Sequence, residues 1–174
     1  MKIIDLSVPI ESGMEVYPGD PEVLIEVVHT HEEHSWELRK LTMGSHTGTH
    51  VDAFSHMHAG GKTLDEIPLE HFFGTAAVVD VRETLPQGIG LFFVRETGLE
   101  WAGKIIAARP KFAGGMISAD LERALLQAEI VTYTNLVNLE QIPPGRQFMF
   151  YGFPLKIKHG DGSPVRAVAV LEDE

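Results

Sequence analysis

The 174-residue sequence contains no cysteine. This excludes disulfide bonds and thiolate metal sites, so a bound metal would need ligands from histidine, aspartate, glutamate, backbone or water. Basic residues are also scarce, since 14 Lys and Arg stand against 25 Asp and Glu and give a formal net charge of −11. Nucleic acids and anionic membranes bind clustered Lys and Arg, so neither is expected as a partner.

Long hydrophobic segments are lacking too. No stretch approaches the roughly 20 apolar residues of a membrane span. Residues 1–6 carry an early acid and no apolar run of the kind that begins a signal peptide, so a cytoplasmic location is expected. The length suits one hydrophobic core and is short for two, which predicts a single domain over residues 1–174.

What the sequence does contain is a concentration of metal-binding side chains, four histidines and an aspartate between positions 46 and 58. His46, His50 and Asp52 occupy even positions, and alternate side chains of an extended chain share a face. Gly48 between them offers no side chain and permits a sharp bend. A helix would turn Asp52 away from both histidines, so we predict a strand end or loop in which His46, His50 and Asp52 bind a divalent metal.

Hydrophobic patterning outside this segment predicts an α/β domain with a mixed, strand-rich sheet and few helices. The clearest helix begins at Ser118, a favourable N-cap, and carries an apolar stripe of Leu121, Leu125 and Leu126 through about Ala128. Strands are predicted over residues 3–8, 23–28, 36–43, 75–81, 91–94, 105–108, 130–133, 148–151 and 165–171.

Other polar and aromatic residues admit more than one interpretation. Residues 29–34 contain three histidines and two glutamates, which we interpret as a solvated loop rather than a second metal site. Tyr17, before Pro-Gly-Asp, is equally consistent with a wall for a substrate ring and with packing on the core. Residues 161–164 are predicted to form a turn. Arg166 is expected to pair with a structural acid, although it could bind a carboxylate.

The segment His46-Thr-Gly-Thr-His50-Val-Asp52-Ala-Phe54-Ser-His56 closely resembles the signature His-x-Gly-Thr-His-x-Asp-x-Pro-x-His. That signature belongs to the cyclase family, which includes bacterial kynurenine formamidases and isatin hydrolases. Phe54 in place of Pro is the one departure. Similarity continues through residues 5–9, 17–20, 135–143, 154–156 and 162–167.

The resemblance implies a swivelling β/β/α fold, a homodimer or homotetramer, and metal-dependent hydrolysis of a small amide such as an aryl formamide or lactam. It implies that His46, His50 and Asp52 bind the metal, zinc or manganese above all. His56 would transfer protons, and Tyr17 lies where the family often has an aromatic that contacts the substrate.

Two family positions differ. Two-metal members have a later His and, twelve residues on, a Glu, and alignment on residues 125–136 places Glu122 and Thr134 there. The chain is also a few tens of residues shorter than typical members, with the missing part expected before Ser118. We therefore expect a mononuclear hydrolase. The alternatives are a non-catalytic protein that binds a metal or small ligand on this scaffold, and a second metal site rebuilt by Glu122 or His58.

Overall fold

The computed structural model describes residues 1–172, and strands dominate it. Three α-helices are present in this part of the chain, α1 (His31–His34), α2 (Ala102–Ala107) and α3 (Ala119–Gln127). The strands are β1 (Lys2–Asp5), β2 (Leu24–His29), β3 (Leu38–Thr42), β4 (His50–Asp52), β5 (Phe73–Val78), β6 (Gly90–Thr97), β7 (Phe112–Ile117), β8 (Val131–Thr134), β9 (Gln147–Tyr151), β10 (Gly162–Pro164) and β11 (Val168–Leu171).

Nine of these strands form one mixed sheet in the order β1-β11-β9-β5-β6-β7-β8-β4-β10. Strands β5 to β8 are parallel to their neighbours among themselves, and the strands on both sides pair antiparallel. A mixed sheet with few helices is what the patterning predicts. The arrangement places β4, which carries the histidine motif, between β8 and the short strand β10 near one edge.

Helix α3 confirms the strongest helix prediction. The Ser118 hydroxyl accepts a hydrogen bond from the Leu121 N–H, as an N-cap does. Leu121, Leu125 and Leu126 are buried, and they join α3 to the core beneath the sheet. The helix thereby presents Glu122, one turn from its start, towards β8.

The predicted strand over residues 105–108 is wrong, because these residues belong to α2 and its C-cap. A short apolar run fits a buried helix as well as a buried strand, and periodicity alone does not separate them. Here Ile105 is fully buried, and the Ala108 N–H bonds to carbonyls of the preceding turn.

Strand β7 was not predicted, since its Gly114 and Gly115 are poor strand formers. The structure explains both glycines. A Cβ at Gly114 would strike the carbonyl of Tyr133 on β8, and one at Gly115 would strike the carbonyl of Phe93 on β6. Close approach of neighbouring strands therefore requires glycine at these two positions.

The turn predicted over residues 161–164 is also wrong in part, because Gly162–Pro164 is strand β10.

The remaining predicted strands correspond to strands of the structure, with ends shifted by up to a few residues. Strands β2 and β3 pair only with each other and form a separate antiparallel ribbon. The connection between them is a single exposed turn, α1, in place of the expected loop.

Arg166 makes a bidentate ion pair with Asp5, at 2.9 and 2.7 Å, as the structural interpretation predicted. Within residues 1–172 the longest helix, α3, has 9 residues, and none meets the length and hydropathy that a membrane span requires.

Candidate metal centre

The histidine motif enters the sheet through a bend at Gly48. Gly48 has φ +63°, a conformation that favours glycine, and the chain then runs as β4. The Thr49 hydroxyl fixes this entry by donating to the Asn135 carbonyl at 2.6 Å and accepting the Val8 N–H at 3.0 Å. Strand β4 therefore sets His50 and Asp52 on one face, as the even spacing predicts, and the bend returns His46 to the same place.

Four side chains of the motif converge on one point. The His46 Nδ1 lies 2.6 Å from Asp52 Oδ1, and the His50 Nε2 lies 3.5 Å from the same oxygen. Ligand atoms of His46, Asp52 and His56 all lie within 4.8 Å of one another. Imidazole nitrogens and a carboxylate at such separations form a donor set suited to a divalent transition metal.

His50 is held in the tautomer that a metal needs. Its Nδ1 lies 2.7 Å from the Gly48 carbonyl, so Nδ1 carries the proton and donates it there. The Nε2 lone pair is then free to accept, and the Thr134 hydroxyl lies 2.7 Å from it. Burial lowers the pKa of His50, although the charge of Asp52 opposes this, so the neutral, metal-binding form is favoured.

His46 lies between two carboxylates. Its Nε2 is 2.9 Å from Asp161 Oδ2, on the side of the ring opposite to Asp52. Burial acts to lower the pKa of His46, but hydrogen bonds with Asp52 and Asp161 raise it to about 9. For Asp52, which is 1% exposed, burial acts to raise the pKa and the bond to His46 lowers it, with the net shift downwards. At neutral pH the His46 ring is therefore an imidazolium paired with the Asp52 carboxylate, and a metal bound there would displace the proton of the His46 Nδ1.

Glu122 and Thr134 both face this centre, as their alignment with the family's second set of ligands implies. The Thr132 hydroxyl donates to Glu122 Oε1 at 2.8 Å and lies 3.3 Å from Asp52 Oδ2. Burial and then the nearby Asp52 charge raise the pKa of Glu122 to about 8. Glu122 is thus a neutral or weakly acidic neighbour of the motif, and the Thr134 hydroxyl lies 2.7 Å from the His50 Nε2.

Asp161 is the residue of the centre that the sequence did not reveal. It lies 115 positions beyond His46, immediately before β10, and its Oδ2 is also 3.6 Å from the His56 Nδ1. The available signal was the Asp-Gly step beside residues 162–167, which resemble the family's C-terminal segment. A turn was the simpler interpretation of that step, and it concealed the carboxylate.

Two other predicted site residues do not join the centre. The His58 Nε2 lies 2.7 Å from the Arg123 carbonyl and so binds the backbone of α3. Tyr17 is 78% exposed on its turn, and none of the ring contacts found in residues 1–172 includes it. A cleft of about 810 Å³ lies elsewhere, beside Asp80 and Arg82, and no residue of the histidine motif lines it.

Comparison with known proteins gives a consistent result. Residues 4–133 match a family model described as "Putative cyclase". The kynurenine formamidase of Salinibacter ruber is 32% identical to this chain over 207 aligned positions, which span 97% of each protein. Those 207 positions exceed the 174 residues here, so the relative has internal segments that this chain lacks.

Solved structures share the fold at lower identity. Isatin hydrolase A from Labrenzia aggregata, bound to benzyl benzoate, superposes with a TM-score of 0.83 at 22% identity, over 98% of this chain and 94% of that one. A structure described as a potential metal-dependent hydrolase with cyclase activity gives 0.73 at 23% identity, over 97% and 96%. The cyclase-like α/β fold expected from the sequence is confirmed.

Proposed function

Because the chain belongs to the cyclase family, we propose that it is a metal-dependent hydrolase of small amides. The observation that carries this proposal is the convergence of His46, Asp52 and His56, whose ligand atoms lie within 4.8 Å of one another, with the His50 Nε2 3.5 Å from the same Asp52 carboxylate. The relatives named kynurenine formamidase and isatin hydrolase support an aryl formamide or a lactam as the substrate. The low content of basic residues supports a small molecule over a nucleic acid.

In this proposal His46, His50 and Asp52 hold one divalent metal, zinc or manganese, since two imidazoles and a carboxylate suit both. Bound there, the metal would acidify a water molecule and polarise the substrate carbonyl. His56 transfers a proton between the water and the leaving nitrogen, because it is the imidazole of the cluster that remains accessible, with 29% of its side chain exposed. Tyr17 contacting an aromatic substrate stays a prediction.

The decisive experiment combines metal analysis with a hydrolysis assay. Purified protein is loaded with zinc or manganese, its metal content is measured by mass spectrometry, and aryl formamides and lactams are assayed. We expect one metal per chain and turnover. The His56→Ala variant should keep its metal but lose turnover by about 10²- to 10⁴-fold, the range for a removed proton carrier. Absence of turnover in the wild type with every divalent metal would overturn the hydrolase proposal.

The metal count is tested by restoring the family's second set of ligands. Glu122 and Thr134 face Asp52 and His50, so Glu122→His with Thr134→Glu should raise the metal content from one to two per chain. Two metals in the wild type would contradict the mononuclear site. Loss of one of them on changing Glu122 alone would instead assign a second site to that carboxyl.

The second candidate is a binding protein that no longer catalyses hydrolysis. Its support is the Thr134 hydroxyl at 2.7 Å from the His50 Nε2, at the position where the family resemblance leads us to expect a glutamate. This candidate predicts a rise in melting temperature with metal or aryl amide, since a ligand that binds only the folded state stabilises it. Such a rise without any product would favour it over the hydrolase.

A further inference from the structure

One carboxylate in the structure contacts both kinds of residue in the centre. Asp161 Oδ2 lies 2.9 Å from the Nε2 of His46 and 3.6 Å from the Nδ1 of His56. The Ser45 hydroxyl donates to the other oxygen, Oδ1, at 3.0 Å. The rings of His46 and His56 lie 4.0 Å apart between centroids, so a single group can orient both.

The position of Asp161 is fixed by the sheet. Its carbonyl accepts the Ala53 N–H at 2.9 Å, and Gly162 pairs with Asp52 in the register of β10 and β4. Gly162 also lies against the His46 ring so closely that a Cβ there would overlap it. The carboxylate therefore approaches the two histidines from a rigid backbone, and a flexible loop does not have to place it.

Metal-binding histidines usually donate their second ring N–H to a carboxylate or carbonyl, which fixes the ring and the tautomer. His50 does this through the Gly48 carbonyl. Asp161 is the matching acceptor for His46, and it leaves the Nδ1 of that ring directed at Asp52. The same Oδ2 faces the Nδ1 of His56 at 3.6 Å, longer than a hydrogen bond, so Asp161 orients that ring by its charge.

We propose that Asp161 is a positioning residue that holds the metal ligand His46 and the proton carrier His56 in one arrangement. For His46 its effect is on the affinity of the metal. For His56 its effect is on the transfer of the proton, an interaction used in the transition state, so kcat is affected more than KM. This inference rests on the proposed function for its catalytic half only, because metal affinity is measurable without any substrate.

The test compares Asp161→Asn with Asp120→Asn, which removes an exposed carboxylate from the first turn of α3. Metal affinity is measured by chelator competition without substrate. Loss of an outer carboxylate typically weakens metal binding by about 10- to 100-fold, and we expect a loss in this range for Asp161→Asn and none for Asp120→Asn. Ser45→Ala, which leaves the carboxylate in place, should show a smaller loss.

With metal saturating, Asp161→Asn should lower kcat while leaving KM within about twofold, and Asp161→Glu should restore part of the metal affinity. Equal metal affinity in the wild type and Asp161→Asn would overturn the role of Asp161 and leave the proposed function standing. If Asp161→Asn binds metal more weakly than the wild type, as expected, but the wild type shows no turnover, the proposed function is overturned. The role of Asp161 towards His46 then still stands. Failure of the wild type to bind either metal would overturn both.

Discussion

At the scale of single residues, Gly162 shows how closely the backbone of β10 packs on a functional ring. Any side chain at this position would overlap His46, whose Nδ1 and Nε2 both make hydrogen bonds with carboxylates. The lack of a side chain is thus a condition for the geometry of the centre. Without a side chain at residue 162, the His46 ring fits between β10 and Asp52.

We predict that Gly162→Ala displaces His46 and weakens metal binding more than it weakens folding. Overpacking at a tight site costs about 1–3 kcal/mol of stability, which chemical denaturation measures. Metal affinity is measured in parallel by chelator competition. Gly103→Ala serves as the control, because a Cβ at Gly103 meets no atom within 4 Å. Unchanged metal affinity in Gly162→Ala would contradict the close fit of ring and strand.

His71 is a histidine of a different kind, half-buried and remote from metal chemistry. Its ring meets Phe54 edge-on at 6.2 Å between centroids, and its Nδ1 has no hydrogen-bond partner within residues 1–172. Burial lowers the pKa of His71. A hydrogen bond with the Lys111 backbone and the charge of Glu129 act to raise this pKa. The charges of Lys111 and Lys62 lower it further. The folded protein therefore resists protonation at a position that protonates readily once unfolded.

The sign of the resulting pH dependence follows from this difference. Because the pKa is lower in the folded state, the contribution of neutral His71 to stability is present above the unfolded pKa of about 6.5 and is lost as pH falls below it. Urea unfolding between about pH 7.5 and about pH 5.5 should show a steeper loss of stability in the wild type than in His71→Asn. His31→Asn, at an exposed position on α1, is the matched control. Parallel slopes for wild type and His71→Asn would contradict the assignment.

At the scale of elements, the local patterns of β4 and α3 were sufficient to predict both, and the partners of β4 were not predictable. Even spacing places His50 and Asp52 on one face of any extended segment, and Ser118 with its leucine stripe specifies a helix locally. Pairing of β4 with β10 joins residues more than a hundred positions apart, and no local pattern encodes it. Asp161 entered the centre through that pairing, so its role required the structure.

Helix α2 illustrates the opposite limit. Its apolar run is too short for periodicity to distinguish helix from strand, and the burial of Ile105 satisfies both. Glu122 and Thr134 are intermediate in how far the sequence predicts them. The family pattern placed both at the centre, and the structure brings both there, yet their hydrogen bonds with Thr132 and His50 depend on how α3 and β8 pack.

The cap of α3 supplies a prediction at this scale. Ser118→Ala removes the hydroxyl that accepts the Leu121 N–H, and loss of such a cap costs about 1 kcal/mol. Because α3 carries none of the proposed metal ligands, the variant should lose stability in urea while its metal content stays at the wild-type value. Ser118→Asp, which also caps, should restore the stability. A fall in metal content equal to that of a ligand variant would show that the helix start also shapes the centre.

At the scale of the whole molecule, the ribbon of β2 and β3 is the least embedded part of the fold. Trp36, Leu38 and Leu41 are 56%, 48% and 53% exposed, and every residue of β3 is exposed. A two-stranded ribbon alone is marginally stable in water. Its apolar side chains are therefore suited to contact with a second copy of the chain, in keeping with the homodimer or homotetramer predicted from the family resemblance.

We predict that light scattering will give a dimer or tetramer, and that Leu41→Glu with Val27→Glu, two exposed positions on one face of the ribbon, will shift it to the monomer. A glutamate introduced into an apolar contact would be buried without a partner for its charge, which opposes association. Glu26→Gln, on the facing strand, is a control that removes charge and should leave the assembly unchanged. A wild-type monomer at all concentrations would contradict the prediction.

The pairing of β4 with β10 also determines when, during synthesis and folding, the centre is completed. Residues 46–52 leave the ribosome long before residues 161–164, and closing a contact across such a separation is slow compared with forming a helix. His50 can meet Asp52 early, but His46 gains its second carboxylate only when the end of the sheet is in place. Tight metal capture would then mark the last stage of folding, so a nascent chain stalled before residue 161 should hold its metal loosely and exchange it readily.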